Sequence, residues 1–289
     1  MVDIDKSLKR KWDHGVDWNN LLPPSRPSIY HLKVIRKELE AKDNNLPVAV
    51  LGSTPEFRDL LAGLGFKKVF VFDKSLLFHE RANKLRCYSN EETLIQGDWL
   101  QTISTFPKTF VAILSDLTSG NVPYDKQENF YRDISSALIS NGSFIDKVLT
   151  NEAEFSVLDD LDEKYKSMPY NLETLNFFSC EYFFGSELVK QFKLTDVSKF
   201  YEILDKRFTH PVLRKFLQNT LSITPKNGIW YYGDSWLNFK KRYFRYLTLA
   251  RSYPEPIGNP YHKRMRTLVT NRKEKVNTQP TGGINGDKE

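Results

Sequence analysis

Short unbroken apolar runs alternate along the first half of the chain with longer amphipathic stretches. Val48–Leu51, Val69–Phe72 and Phe110–Leu114 are such runs. Their length and content predict strands covered on both faces, as in a parallel sheet. Between them apolar residues fall at helical spacing. Leu32, Ile35 and Leu39 predict a helix over about Ile29–Ala41, with Ser28 as its N-cap. Pro55 starts a helix through Leu64, at the position where its missing N–H costs least, and Gly65 ends it. Helices are also predicted over Ser75–Leu85 and over Lys126–Ile139, the second ending at Asn141-Gly142. Glu92–Gln96 is a weaker strand, and Ser143–Val148 a further one.

This β-α alternation predicts an α/β protein. The fold class is a Rossmann-like, doubly wound and mostly parallel sheet with right-handed crossovers. After Thr150 the pattern changes. Helical periodicity dominates Glu152–Lys166, Glu187–Lys190, Val197–Arg207 and Val212–Leu221, with Phe177, Phe178, Tyr182, Phe183 and Phe184 clustered among them. This reads as a helical insertion. Ile229–Tyr232 and Tyr243–Leu249 are aromatic and β-prone, and predict a late antiparallel strand pair that closes the sheet.

Composition narrows the picture modestly. Residues 151–187 hold nine acids against two lysines, and residues 238–275 hold eleven Lys/Arg against two glutamates. The net charge of +6 is therefore concentrated in a basic C-terminal region that can meet phosphates, though a solvated helical surface explains it as well. Cys87 and Cys180 form neither a zinc spacing nor a disulfide framework, and the five histidines show no metal spacing, so no metal is expected. No apolar run reaches the roughly 18 residues of a membrane span. Met1–Lys11 is charged, without a secretory core segment, so a cytoplasmic protein is expected. The polar, glycine-rich stretch after Arg272 predicts a disordered tail.

The candidate chemistry begins at Gly52. A strand, a glycine turn, a helix and a second strand ending in Asp73 make half of a nucleotide-binding unit. The acid falls about 20 residues after the glycine, where a carboxylate accepts from ribose hydroxyls. A dinucleotide pyrophosphate needs three glycines in the turn, but Ser53, Pro55 and Phe57 occupy the later positions, and a P-loop lysine is missing. A nucleoside without phosphates makes a weaker demand.

With these residues the chain resembles a class I S-adenosylmethionine-dependent methyltransferase of the bacterial type. The resemblance is carried by Val50-Leu51-Gly52-Ser53-Thr54-Pro55-Glu56, Val71-Phe72-Asp73, Gly97-Asp98-Trp99, Ile113-Leu114-Ser115-Asp116-Leu117 and Asn141-Gly142-Ser143-Phe144-Ile145. It spans roughly residues 28–149. It implies S-adenosyl-L-methionine as cofactor, held by Gly52, Ser53, Thr54, Glu56, Asp73, Lys74, Asp98, Trp99, Ser115 and Asp116. Asp73 would bridge the ribose hydroxyls, Asp98 would accept from the adenine amine, and Trp99 would pack on the ring. Arg26 would pair with the methionine carboxylate. Asp116 would be the catalytic group, orienting the acceptor or taking its proton, and Asn121 and Tyr124 would contact substrate.

The implied organisation is an N-terminal helical segment or lid (1–45), a cofactor-binding core (46–150), an acceptor-covering insertion (151–223), closing strands (224–270) and a tail (271–289). The expected partner is a small-molecule acceptor. Nucleic-acid or protein methylation is less favoured: Asp116-Leu117-Thr118-Ser119 replaces the Asp/Asn-Pro-Pro-aromatic sequence usual in enzymes that methylate base amines. A non-methylating protein of the same cofactor, either a cyclase or lyase or a binding module, is a further alternative.

Overall fold

The structure is a computed structural model that describes residues 18, 26–88, 90–150, 195–196, 229–231, 235–257, 262 and 264–273. Nine strands are found among them: β1 Val48–Leu51, β2 Val69–Asp73, β3 Glu92–Gln96, β4 Phe110–Asp116, β5 Leu138–Leu149, β6 Thr195–Asp196, β7 Ile229–Trp230, β8 Leu247–Pro254 and β9 Met265–Arg272. The helices are α1 Ile29–Leu39, α2 Pro55–Gly63, α3 Leu76–Asn83, α4 Trp99–Thr102, α5 Tyr124–Ala137 and α6 Trp236–Tyr243.

Local chemistry sets the helix starts. The Ser28 hydroxyl accepts from the His31 amide at 3.1 Å, and Ser75 caps α3 by accepting from Phe78 N at 3.0 Å. Asp98 caps α4 through Leu100 N, and Pro55 occupies the first turn of α2. Gly65, just past α2, has φ +75, a conformation that favours glycine at a helix end.

Seven strands form one sheet in the order β3-β2-β1-β4-β5-β9-β8. Strands β1 to β5 are parallel, and β9 runs antiparallel between β5 and β8. The first five positions match the order of a dinucleotide-binding sheet, but an antiparallel strand fills the sixth. Successive side chains enter opposite layers. Val48 and Val50 join Ile35, Phe57 and Ile145 under α1 and α2, whereas Ala49 and Leu51 join Phe130, Tyr131, Phe144 and Tyr243 under α5 and α6. Each of these aromatic side chains, once buried, contributes about 1.5–3 kcal/mol, which makes the α5–α6 layer the heavier half of the core.

The mostly parallel sheet and its late antiparallel pair are present, but the pair is made of other residues. Strands β8 and β9 close the sheet. The segment expected as the first closing strand instead pairs through Ile229 and Trp230 with Asp196 and Thr195, in a separate two-stranded sheet. Tyr243 ends α6, so only Leu247–Leu249 of the second expected segment is strand. Aromatic content suggested β structure, yet Trp236, Phe239 and Tyr243 lie at helical spacing and stack as one face. Helix α5 ends at Ala137 rather than Ile139, and β5 begins at once with Leu138. Residues 139–142 of β5 stand opposite the single Val111 of β4, three more than register needs, since Phe110 pairs with Leu138 but Ala112 pairs with Ser143. Gly142 is needed there because a Cβ would lie 2.7 Å from the Phe110 carbonyl. The helical insertion, residues 151–223, lies outside the described residues apart from β6; of the tail expected over 271–289, Asn271 and Arg272 belong to β9 instead, and residues 274–289 lie outside the described residues.

Candidate active site

Parallel strand order places the ends of β1, β2, β3, β4 and β5 along one edge of the sheet. The connections reverse direction between β1 and β4, and ligands bind α/β sheets in the crevice outside that point. Gly52 follows β1, Asp73 ends β2, Gly97 and Asp98 follow β3, and Ser115 and Asp116 end β4. Register confirms the alignment: Leu51 pairs with Phe72 on one side and with Ser115 on the other.

At the β1–β2 side the backbone makes the site. Gly52 has φ +90, and its amide donates to the Phe72 carbonyl at 2.8 Å. A Cβ at Gly52 would meet no protein atom within 4 Å, so conformation is the protein's own reason for glycine there. Ser53 and Thr54 are buried behind the turn, with the Ser53 hydroxyl 3.1 Å from His79 Nδ1. The Asp73 carboxylate accepts from Ser75 N at 2.9 Å and is faced by the Ser53 hydroxyl and amide. Burial pushes the Asp73 carboxyl above the usual carboxylate range, and these donors oppose the rise by stabilising the ion. Along the rim Lys74 forms an ion pair with Asp98 at 2.8 Å, and Trp99 packs half-buried against the α5 layer.

A second cluster lies at the first turn of α2. Glu56 accepts from Trp18 Nε1 at 3.0 and 3.2 Å and forms an ion pair with Arg26, whose guanidinium lies 5.9 Å from the Trp18 ring centroid. A carboxylate at this position also complements the helix dipole. Arg26 is thus brought to the edge, with Glu56 as its partner.

The β4–β5 side is built from charges. Asp116 pairs with Lys147 at 2.5 Å, across the register that aligns them, and both side chains are almost fully buried. Lys147 also donates to the Arg26 carbonyl at 3.4 Å, which joins this pair to the Glu56 cluster. Burial raises the Asp116 carboxyl above its ordinary range, opposed by Lys147. Asp146, one residue before Lys147 and on the opposite face, is fully buried and pushed well up by burial, with Ser115 facing it. Glu255 is raised by burial and lies near enough to Lys147 to be partly held down by it. The His31 ring is buried edge-on against Phe57 at 5.5 Å, and burial, then Lys147, keep it neutral. Leu117, directly after Asp116, takes φ 58, a left-handed conformation that is strained for leucine.

Asn121 and Tyr124 follow on the loop beyond this strained residue. Asn121 donates to the Leu117 carbonyl at 3.4 Å. The Tyr124 ring packs edge-on to Tyr231 at 5.3 Å, with the Arg242 guanidinium 5.2 Å from its centre. All thirteen residues singled out from sequence therefore lie on this edge or on the segments that border it. Sequence reading missed Asp146, Lys147 and Glu255. A signal existed for the first two: an adjacent acid and base inside the apolar run Phe144-Ile145 and Val148-Leu149. Buried charges in a strand demand partners across the sheet.

No protein-family model matches the chain, and no curated protein does. Solved structures do. A provisionally assigned Zn-dependent alcohol dehydrogenase from Rhodobacter sphaeroides is similar at 15% identity and a TM-score of 0.58, covering 94% of this chain and 100% of that one. A structure solved in connection with the conversion of a disulfide bond into a thioacetal group during echinomycin biosynthesis is similar at 10% identity and a TM-score of 0.50, covering 94% of this chain and 93% of that one. A provisionally assigned S-adenosylmethionine-dependent methyltransferase from Listeria monocytogenes follows at 17% identity and 0.49, covering 86% of this chain and 100% of that one. At such identities the likeness shows the Rossmann-like fold.

Proposed function

We propose that the protein is an S-adenosylmethionine-dependent methyltransferase acting on a small-molecule acceptor. The observation that carries this reading is the meeting of a single-glycine turn with a buried acid: Gly52 bonds Phe72, and the next residue, Ser53, faces Asp73. That arrangement suits one ribose and offers no triple-glycine cradle for a pyrophosphate. The open space beside Gly52 and the rim acid Asp98 fit a nucleoside lying across β1, β2 and β3.

The cofactor, when bound, supplies an activated methyl group, which passes to an acceptor lone pair as the carbon–sulfur bonding pair returns to sulfur. The chain's residues bind, align and desolvate. Asp73 accepts from the ribose hydroxyls, Asp98 from the adenine amine, and Trp99 covers the ring. Arg26 is the cation for the methionine carboxylate, exchanging with Glu56. Asp116 takes the proton of an acceptor that carries one, with Lys147 holding it ionised between turnovers.

The basic C-terminal region supports the small-molecule reading over nucleic acid, because much of it has partners within the protein. Arg245 pairs with Glu128, Arg251 with Glu38, and Arg266 stacks at 4.4 Å on Trp236. Among the described residues no helix is long and apolar enough to cross a membrane. Calorimetry of the pure protein with S-adenosylhomocysteine tests the cofactor assignment. Micromolar binding is expected, and absence of binding at millimolar ligand removes it. Steep salt dependence of RNA or DNA binding would instead favour the nucleic-acid alternative.

A further inference from the structure

The carboxylate at the end of β2 does not stand alone. Behind it the Ser53 hydroxyl is fully buried, between the Asp73 carboxylate and His79 Nδ1, 3.1 Å away. His79 itself lies one turn inside α3, and its amide donates to the Ser75 carbonyl at 3.0 Å. Ser75 in turn caps that helix and donates its amide to Asp73. Asp73, Ser53 and α3 are therefore tied at several points.

Proton counting fixes the direction of the chain. A serine hydroxyl has one hydrogen to give. An ionised carboxylate can only accept, so the Ser53 hydrogen points to Asp73. The Ser53 oxygen must then accept from His79, which requires the hydrogen of that ring to sit on Nδ1. The opposite arrangement would turn the hydroxyl's lone pairs toward a buried anion and leave that anion without the donor. Burial, and then the Arg58 guanidinium, lower the His79 pKa, so the ring is neutral near pH 7 and the tautomer is a real choice.

We propose that His79 and Ser53 are positioning residues that hold the Asp73 carboxylate for ribose, through a chain running from His79 Nδ1–H to the Ser53 hydroxyl to Asp73. The assignment rests on the nucleoside-cofactor reading above. It adds that specificity for the ribose hydroxyls is built two residues deep, into a side chain that never touches the ligand.

The test combines calorimetry with spectroscopy of the full chain. Wild type, Ser53→Ala, His79→Ala and His79→Asn are titrated with S-adenosylhomocysteine and with its 2′,3′-dideoxy analogue. Ser53→Ala and His79→Ala are expected to weaken S-adenosylhomocysteine about tenfold, as for a lost hydrogen bond to a charged group. They should leave the dideoxy analogue within about twofold. His79→Asn, whose amide nitrogen can stand near the position of Nδ1, should restore most of the loss. Equal losses for both ligands, or no loss for either, overturn the proposal. The nitrogen NMR shifts of the His79 ring in the free protein read the tautomer independently of any ligand. Nδ1–H is expected, and an Nε2–H tautomer overturns the chain even if the cofactor assignment stands. A wild type that shows Nδ1–H but binds neither ligand leaves the chain in place and removes ribose as its purpose, so it counts against the proposal through the cofactor reading alone.

Discussion

At the β1–β2 side of the crevice Asp73 is met by neutral donors, whereas at the β4–β5 side Asp116 is met by the ammonium of Lys147. Both acids are buried at the ends of parallel strands that flank β1, yet they are stabilised differently. Amides and hydroxyls fixed by a turn and a helix cap keep their geometry when a ligand arrives. An ion pair fixes charge rather than position, and it can be exchanged when an acceptor brings its own proton or charge. The first arrangement suits a cofactor that is always the same. The second suits chemistry in which a proton must move.

Removing Lys147 is the strongest way to break this comparison. Lys147→Met leaves Asp116 buried without its cation, beside Glu255. A loss of about 3–5 kcal/mol is expected from stranding one member of a buried pair. Urea unfolding measures it, with the midpoint falling at unchanged slope. Lys147→Met combined with Asp116→Leu should recover most of the loss, since an apolar pair of similar volume avoids the stranded charge. If the single variant costs under about 1 kcal/mol, the β4–β5 side is wet and its pair is an ordinary surface one.

The next effect is a slope. Asp146 has a folded pKa raised well above the usual value by burial, so between the ordinary carboxylate range near about pH 4 and that raised value the native state holds more protons than the unfolded one. Stability contributed by the neutral carboxyl is therefore full below the unfolded pKa and falls as pH rises through the window. Asp146→Asn keeps the shape and cannot ionise. Its unfolding free energy, followed from acid to neutral pH, should lack the decline that wild type shows there. Identical slopes would mean that Asp146 is ionised and partnered in the native protein.

How much of this was legible in the sequence differs between the two sides for a physical reason. Gly52, Asp73 and Asp98 are local features: each sits where a strand ends, and apolar run length locates strand ends without knowing the neighbours. The order of runs also fixes which edge they share. Lys147 is meaningful only once β5 is aligned with β4, because its partner lies 31 positions earlier and meets it through register. Its neighbour Asp146 faces the other layer, so two consecutive letters serve different cores. The closing strands were misplaced for a related cause. Tyr243, the β-prone start of the second expected segment, falls on one helical face with Trp236 and Phe239, and tertiary packing under the sheet overrode propensity.

The mildest substitution asks whether the β1–β2 side is open to a ligand at all. Gly52→Ala places a side chain at φ +90, which costs about 1 kcal/mol of strain, and the added methyl meets no protein atom within 4 Å. Free-protein stability should therefore drop by only that amount. Affinity for S-adenosylhomocysteine should drop further than the strain accounts for, because strain present in both free and bound protein cancels in the binding free energy, and what remains is contact between the methyl and the ligand. A stability loss with unchanged affinity would make Gly52 a turn residue that the cofactor never approaches, and the neutral donors around Asp73 would then have to be explained by folding alone.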